Sequence, residues 1–141
     1  MCVLRVYSEN DSFKEFAGKT IMPVYVCFDK GEERGKRIIS CFDIRFTVSE
    51  KEWDDFNGQV EDAILYLKKY KYEFSKLQKK HDISNAYLDF PLWSKLNKKI
   101  VGQFEYIPKE LITLAGELNI GIEISIYSKY KRIKYRHKNS Y

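Results

Sequence analysis

The sequence predicts an α+β fold, in which an antiparallel or mixed sheet of about six strands carries its helices on one face. Two observations lead to this prediction. Several segments alternate apolar and polar residues, which is the period of a strand with one buried face. Two other segments repeat apolar residues at intervals of three and four, as helices with one buried stripe do. Elements that each have one apolar side pack as layers around a shared core.

The predicted strands begin at the N-terminus. Residues 2–7 are rich in β-branched and aromatic side chains, and a short helix with Asp11 or Ser12 as its cap follows. The second strand is expected over residues 22–28, with one face formed by Met22, Val24, Val26 and Phe28. A polar, glycine-containing connection indicates a hairpin. The third strand then places on its apolar face Ile38, Phe42, Ile44, Phe46 and Val48.

A long helical region follows this third strand. Ser49 and Glu52 have the spacing of a capping box, so the helix is expected to open at Ser49 and to extend to about Lys80. Its apolar stripe would be Trp53, Phe56, Val60, Ala63, Ile64, Leu67, Phe74 and Leu77. Gly58 and the tyrosine-rich segment at 70–72 are possible breaks, so one helix and two helices both fit the pattern.

The C-terminal half returns to strand character. Ala86, Leu88 and Phe90 alternate with polar residues, and Pro91 is expected to end this strand or to place it at an edge. Residues 100–106 predict a further strand. A short helix starting at Pro108 would bury Leu111, Leu114, Ala115 and Leu118, and Asn119 would end it. The last strand alternates most regularly, with Ile120, Ile122, Ile124 and Ile126 on one face.

Charge divides the chain into two parts. The 141 residues carry a formal net charge of +5, from 25 Lys and Arg and 20 Asp and Glu. Residues 128–141 hold no acid and six bases, namely Lys129, Lys131, Arg132, Lys134, Arg136 and Lys138. We therefore predict a nearly neutral domain over 1–127 and a basic C-terminal tail over 128–141. One domain is the expectation for a chain of this length.

Several protein classes are not expected. The N-terminus does not show the basic start and following apolar run of a signal peptide. No apolar run in the sequence is long enough for a membrane span. Three cysteines, an odd number without Cys-x-x-Cys spacing, fit a reducing cytoplasm. His81 and His137 do not stand at ligand spacing from them, so we expect neither a metal nor a cofactor.

The polar face of the predicted strands is the first candidate binding surface. Its residues are Arg5, Asp43, Arg45, Asp89, Glu105 and Glu123, with Tyr25, Tyr87 and Tyr127. Paired carboxylates beside a tyrosine can act as general acid and base. Opposite charges on neighbouring strands are also what strand pairing favours. A salt-bridged surface, a partner-binding surface and a catalytic site are therefore all compatible with the pattern. No catalytic motif is present, and we do not expect an enzyme.

The basic tail is the second candidate. Lys129, Lys131, Arg132, Lys134 and Arg136 are interleaved with Tyr130, Ile133 and Tyr135. The bases can contact phosphates while the aromatic rings stack on nucleotide bases. The same residues can contact an acidic protein, or they can serve only to keep the chain in solution. The sequence of the tail is thus compatible with a nucleic-acid partner and with a protein partner.

Two segments of the C-terminal half carry a resemblance. The sequences LDFPLW at 88–93 and FEYIPKELITLAGELNIGIEISIY at 104–127 resemble an uncharacterised family of small bacterial proteins with a domain of unknown function. Trp53, Gln59, Val60 and Leu67 extend the likeness to residues 38–127. The resemblance implies a strand, a proline-started helix and an alternating strand, without catalytic residues.

Small proteins of this kind resemble immunity or accessory proteins. The leading interpretation is therefore a small soluble bacterial protein that binds a protein partner, for example in an immunity or antitoxin role, through its polar strand face and its tail. Nucleic-acid binding through the tail is the alternative, and an enzyme that uses the carboxylates of the sheet face is the third. The sequence indicates neither the identity of a partner nor the oligomeric state.

Overall fold

The structure, a computed structural model, describes residues 1–129. Within this range the elements are β1 (Cys2–Ser8), α1 (Lys14–Lys19), β2 (Val24–Phe28), β3 (Glu33–Arg34), β4 (Arg37–Ile38), β5 (Phe42–Ser49), α2 (Phe56–Lys80), β6 (Asn85–Trp93), α3 (Lys109–Glu117) and β7 (Gly121–Tyr127). Five of the strands form a sheet in the order β2-β5-β1-β6-β7, and β3 pairs with β4 in a separate ribbon.

The sheet is mixed. β1 pairs antiparallel with both β5 and β6, and β2 pairs antiparallel with β5. β6 and β7 are parallel. Parallel neighbours need a crossover connection, which residues 94–120 supply with α3 in its second half. The α+β class and the mixed sheet are therefore confirmed, and the sheet of the described residues has five strands where about six were predicted.

One face of the sheet is covered by helices. Alternate side chains of β1, β5 and β6 join side chains of all three helices in one apolar cluster. Leu4, Phe46 and Phe90 from the strands and Phe13 and Phe74 from the helical side are completely or almost completely buried. The alternating residues between them point the other way. The prediction that the helices pack on a single face is confirmed.

A bulge changes the face of β2 halfway along the strand. The pairing register with β5 shifts between Val24 and Val26. Val24 and Cys27 consequently pack against the core, whereas Val26 and Phe28 pair with residues of the opposite face. A bulge places two residues against one, so it reverses the alternation beyond it. The prediction that Met22, Val24, Val26 and Phe28 share one face is wrong for this reason.

The polar connection after β2 contains the short ribbon of β3 and β4. Its turn is formed by Gly35 and Lys36, and Gly35 has a φ of +61°, which glycine adopts without strain. Ile38 pairs with Glu33 in this ribbon and is 71% exposed. The expected hairpin is present, but Ile38 belongs to it and not to the apolar face of the next strand.

Helix α2 is one continuous helix, Phe56–Lys80, and it begins seven residues after the predicted start. Its N-cap is Asp55, whose Oδ1 accepts a hydrogen bond from the Gly58 N–H at 2.9 Å. A Cβ at position 58 would collide with the Asp55 carboxylate, so glycine is what permits this cap. An Asp at the N-cap satisfies a backbone donor that the first turn leaves free.

Ser49 ends β5 and does not open a helix. Its backbone pairs with Cys2 in the sheet, and its Oγ donates to Asp62 Oδ2 at 2.6 Å. The predicted capping box with Glu52 is therefore wrong, because strand pairing continues through Ser49. Trp53 consequently lies before the helix and not in its apolar stripe.

Strand β6 continues through Pro91. β1 pairs with β6 only as far as Asp89. Beyond that point the Pro91 carbonyl accepts from Gln59 Nε2 at 3.1 Å, and the Trp93 N–H donates to the Trp53 carbonyl at 3.2 Å. The backbone of Pro91 thus faces away from β7, where its missing N–H breaks no ladder bond. The expectation that Pro91 ends the strand or marks an edge is wrong. Beyond the end of β1, Trp53 and Gln59 form the hydrogen bonds on this side of β6.

Residues 100–106 are irregular, and the strand predicted there is not formed. The position beside β6 that a strand could occupy is taken by β7. Side chains satisfy the loop backbone instead, since Asn97 Oδ1 accepts from the Lys99 and Ile100 N–H groups and Gln103 Oε1 accepts from the Lys95 N–H. Local side-chain bonds of this kind compete with sheet formation.

The last helix and strand agree closely with the prediction. Pro108 precedes α3 by one residue. The Ile120 N–H donates to the Ala115 carbonyl and the Asn119 N–H to the Gly116 carbonyl, with Asn119 at a φ of +53°. These two bonds form a Schellman motif, which ends the helix at the predicted residue.

Candidate protein-binding face

One face of the sheet carries none of the helices of residues 1–129. This face, hereafter the open face, gathers most of the predicted site residues. Its side chains stand at alternate positions of four strands and include Arg5, Tyr7, Asp43, Arg45, Thr47, Tyr87, Asp89, Glu123, Ser125 and Tyr127. Of the predicted residues, the structure brings together Arg5, Asp43, Arg45, Asp89, Glu123 and Tyr127. The order β5-β1-β6-β7 makes this possible, since the residues are far apart in the sequence.

Asp89 connects three strands on this face. The Arg5 guanidinium donates to Asp89 Oδ2 at 2.7 Å, and the Ser125 hydroxyl donates to Asp89 Oδ1 at 2.7 Å. The Asp89 side chain is 6% exposed and the Arg5 side chain 27%. The carboxylate is therefore held beneath the surface, while part of the Arg5 side chain reaches solvent and its Nε is buried.

Arg45 is held by a carboxylate of its own strand. Its Nε and Nη2 donate to Asp43, with the shortest distance 2.7 Å, and the Asp43 side chain is 5% exposed. The hydrogen bond with Asp43 raises the pKa of Arg45 above its ordinary value. Forked contact between a guanidinium and a carboxylate fixes the orientation of both groups.

The two arginines are neighbours. Arg5 lies directly opposite Arg45 in the β1–β5 pairing. Burial lowers the pKa of Arg5, but the Tyr7 side chain and the charge of Asp89 outweigh burial and raise it above the ordinary value. Both residues thus remain cations at physiological pH. Each carboxylate is more deeply buried than its arginine, so the outer layer of this part of the face presents cationic groups.

Two tyrosines flank the arginine pair. Tyr7 and Tyr87 lie with their ring centroids 6.1 Å apart. Burial and the neighbouring Tyr7 raise the pKa of Tyr87, so its hydroxyl stays neutral near pH 7. A neutral tyrosine offers both a donor and an acceptor together with a flat apolar ring.

An aromatic cluster occupies one corner of the open face. The Trp53 ring lies 4.7 Å from the Trp93 ring and 4.9 Å from the Tyr127 ring, with which it is stacked. Trp53 reaches this corner because α2 begins only at Phe56. The sequence interpretation placed Trp53 in the helical stripe. The Asp55 cap with Gly58 three residues later is the signal that would have excluded it.

The remaining predicted residues lie elsewhere. Glu105 is in the loop after β6, where it pairs with Lys95 Nζ at 3.0 Å and accepts from Gln103. Its assignment to the strand face is wrong, because residues 100–106 form no strand. Lys129 is the last described residue, and Lys131, Arg132, Lys134 and Arg136 lie outside the described residues. Tyr25 stands at the β2 bulge and is 53% exposed.

Two open clefts lie at one end of α2, on either side of His81. The first encloses about 530 Å³ and is lined by Ser12, Glu15, Phe16, Lys19, Glu73 and Lys76, among others. The second, of about 650 Å³, lies between the end of α2 and the starts of β6 and β7. His81 is the C-cap residue of α2, and the centroid of its ring lies 5.1 Å from that of Phe13. Lys and Glu side chains of the first cleft are joined in ion pairs.

Cys, His, Asp and Glu are the residue types that most often bind metal ions. The part of the chain from residue 1 to 129 contains no group of three or more His, Cys, Asp or Glu side chains placed to hold a metal ion. All three cysteines are free, and burial raises the pKa of the Cys2 thiol. None of the helices between residues 1 and 129 combines the length and the apolar character that crossing a membrane requires.

Comparisons with known proteins give no relative. No family model, no curated protein and no solved structure matches the chain. The resemblance seen in residues 38–127 thus stays a prediction.

Proposed function

We propose that the protein is a binding module whose open face recognises an acidic surface of a partner protein, with the basic tail contributing to the same contact. The observation that carries this proposal is the arginine pair of the open face. Arg5 and Arg45 are each held by a buried carboxylate, so their guanidinium groups are fixed before any partner arrives. An immunity or antitoxin role in a bacterial cytoplasm would be one case of such recognition.

Fixed side chains favour binding because less conformational entropy is lost on association. Arg, Tyr and Trp are the residues that most often dominate the free energy of protein interfaces. Arg5, Arg45, Tyr7 and Tyr87 stand on paired strands of the open face, and the Trp53 cluster lies at its corner. This composition supports a contact surface.

The expected partner surface is acidic. The carboxylates of Asp43 and Asp89 are covered by their arginines, so the exposed groups near the strand centres are cationic. Glu123, on the edge strand, is an exposed acid at the margin of the face. The tail, with its six bases, follows β7 directly. Complementary charge steers association and selects the partner. The arginine-bound state of the carboxylates also argues against their use as general acid and base.

The proposal is tested by locating the contact and then changing its charge. A photo-crosslinking residue at Thr47, which lies on the open face beside Arg45, should capture a defined protein in the native host. The same residue at Tyr72, which is 75% exposed on α2, should not. The captured protein, purified, should bind the Thr47→Glu variant at least tenfold more weakly than the wild type. The Thr47→Lys variant adds similar bulk with the opposite charge and should keep the wild-type affinity.

Three results would overturn the proposal. The first is capture from Tyr72 as strong as from Thr47, and the second is equal loss of affinity in both Thr47 variants. The third is salt-sensitive binding of nucleic acid that is lost when residues 129–141 are removed. That result would favour the alternative function, since six phosphate contacts predict a slope of log affinity against log salt of about −4 to −5. Circular dichroism would establish that each variant is folded.

A further inference from the structure

The two edges of the sheet are protected very differently. On β2, the strand is interrupted by a bulge, and Lys14 Nζ donates to the Cys27 carbonyl at 2.9 Å. Bulges and lysines are common means of keeping an edge strand from pairing with another chain. On β7, the register with β6 is regular over all seven residues, and Glu123 is the only charged side chain. Among residues 1–129, no strand pairs with the outer side of β7.

The backbone of β7 shows which groups are free for pairing. The Ser94 N–H donates to the Tyr127 carbonyl at 2.7 Å, so Tyr127 directs its backbone groups toward β6. Backbone direction alternates along a strand. Ile122, Ile124 and Ile126 therefore direct their N–H and C=O groups to the outer edge.

The same isoleucines belong to the apolar face of the sheet but are incompletely covered. Ile124 is 37% and Ile126 is 58% exposed, although their partners on β6, Phe90 and Leu92, are buried. Ile112 of α3 is 55% exposed as well. Nine of the fourteen exposed large apolar residues between 1 and 129 lie in the crossover or β7: Leu96, Ile100, Val101, Phe104, Tyr106, Ile112, Ile124, Ile126 and Tyr127. An exposed apolar stripe such as that of Ile124 and Ile126 is typical of an interaction surface.

We propose that β7 pairs antiparallel with β7 of a second copy of the chain, with the two-fold axis at Ile124. In this register Ile124 faces Ile124 of the other copy, and Ile122 faces Ile126. These are the residues whose backbone groups point outward, so each pair exchanges two hydrogen bonds. On the open face, Glu123 stands opposite Ser125, so no like charges meet. The sequence of β7 is thus complementary to itself.

The surroundings of β7 supply the rest of the contact. A stable interface buries about 800 Å² on each partner, more than one strand provides. α3 contacts β7 and carries the exposed Ile112, and the loop containing Leu96 and Ile100 begins next to Tyr127. The dimer would join two sheets into one continuous sheet and place two open faces side by side. This inference rests on the geometry of β7 and not on the proposed function.

The mass of the full chain in solution tests the dimer. Sedimentation velocity over a wide range of protein concentration should show a species of twice the 16.8 kDa chain mass. Ile124→Glu places like charges opposite each other on the axis and should raise the dissociation constant at least tenfold. Ile126→Lys, at a more exposed site that tolerates a polar side chain in the monomer, should have the same effect. Leu65→Lys, at a 65% exposed position of α2, is the matched control and should leave the dimer unchanged.

Hydrogen exchange adds a readout that does not depend on variants. The amides of Ile122, Ile124 and Ile126 should be protected at high protein concentration and should lose protection on dilution. A full chain that is monomeric at every concentration overturns the proposal, as does a dimer that Ile126→Lys leaves intact. A monomeric full chain that dimerises after removal of residues 129–141 also overturns it, because the tail would then occupy the β7 edge.

Discussion

The two faces of the sheet are built from the same strands but are held together by different forces. On β5, Phe46 points into the helix-covered face and is completely buried, whereas its neighbour Arg45 points to the open face and is bound by Asp43. On β1, Leu4 and Arg5 are divided in the same way. One face is organised by non-directional burial of apolar surface, and the other by oriented charge pairs.

The open face is ordered by its own side chains. The side chains of Asp43 and Asp89 are only 5% and 6% exposed, although no helix among residues 1–129 covers them. Their arginines and neighbouring side chains provide the cover. The side chains of the open face therefore have a fixed geometry. Their contribution to the free energy of unfolding is modest, since a hydrogen bond to a charged group contributes about 1.5–3 kcal/mol. The covered face should dominate the free energy of unfolding.

The largest expected effect compares adjacent residues of β5. Phe46→Ala removes a completely buried ring that contacts Phe16 edge to face, and it should lower the free energy of unfolding by about 3–5 kcal/mol. Thr47→Ala, one residue away on the open face, should lower it by less than about 1 kcal/mol. Urea unfolding of both variants measures the two values. Equal losses would show that the faces do not differ in this way.

A smaller effect separates the two carboxylates of the open face. Asp89→Asn weakens contacts that join β1, β6 and β7, and it should cost about 2 kcal/mol because Arg5 loses its partner charge. Asp43→Asn weakens a contact within β5 and should cost less. The comparison is made by chemical unfolding at neutral pH. If Asp43→Asn were the more damaging substitution, pairing across strands would not be what stabilises the open face.

The sequence predicted the division into faces well, since alternation depends on local residue spacing alone. It placed Arg5, Asp43, Arg45 and Asp89 on one face correctly, and it found the Asn119 end of α3 from a single residue type. Properties that follow from one strand or one helix end are readable in this way.

The same reasoning did not predict the features that depend on long-range pairing. Arg5 and Asp89 are 84 residues apart, and only the strand order brings them together. The β2 bulge leaves no clear mark in the sequence, and Ser49 continues the sheet because Cys2 lies opposite. Glu105 was misplaced because its segment alternates although β7 already fills the position beside β6. Each error arose where tertiary pairing overrode a local pattern.

The smallest expected effect concerns a polar group on the covered face. Tyr66 of α2 is 6% exposed, and its hydroxyl is buried without a hydrogen-bond partner in the part of the chain described. Tyr66→Phe removes this hydroxyl without breaking a hydrogen bond. At pH 7 it should therefore leave the free energy of unfolding unchanged or raise it by up to about 1 kcal/mol.

The pH dependence of unfolding tests whether the buried hydroxyl is the cause of the effect of Tyr66→Phe. Burial, followed by the neighbouring Tyr70, raises the pKa of Tyr66. Above about pH 10 the tyrosine of the unfolded chain releases its proton while the buried hydroxyl retains it. The unfolded state then binds fewer protons, so the free energy of unfolding falls as pH rises. The phenylalanine of the variant has no proton to release, and chemical unfolding between pH 8 and about pH 11 should show a shallower fall for Tyr66→Phe.

Part of the fall in stability should remain in this variant, since burial also raises the pKa of Tyr87 and of Cys2. Tyr72→Phe, at an exposed position of the same helix, is the control and should follow the wild type. An unchanged slope in Tyr66→Phe would mean that the hydroxyl meets water in the folded state. The covered face would then be less closed at α2 than its apolar side chains indicate.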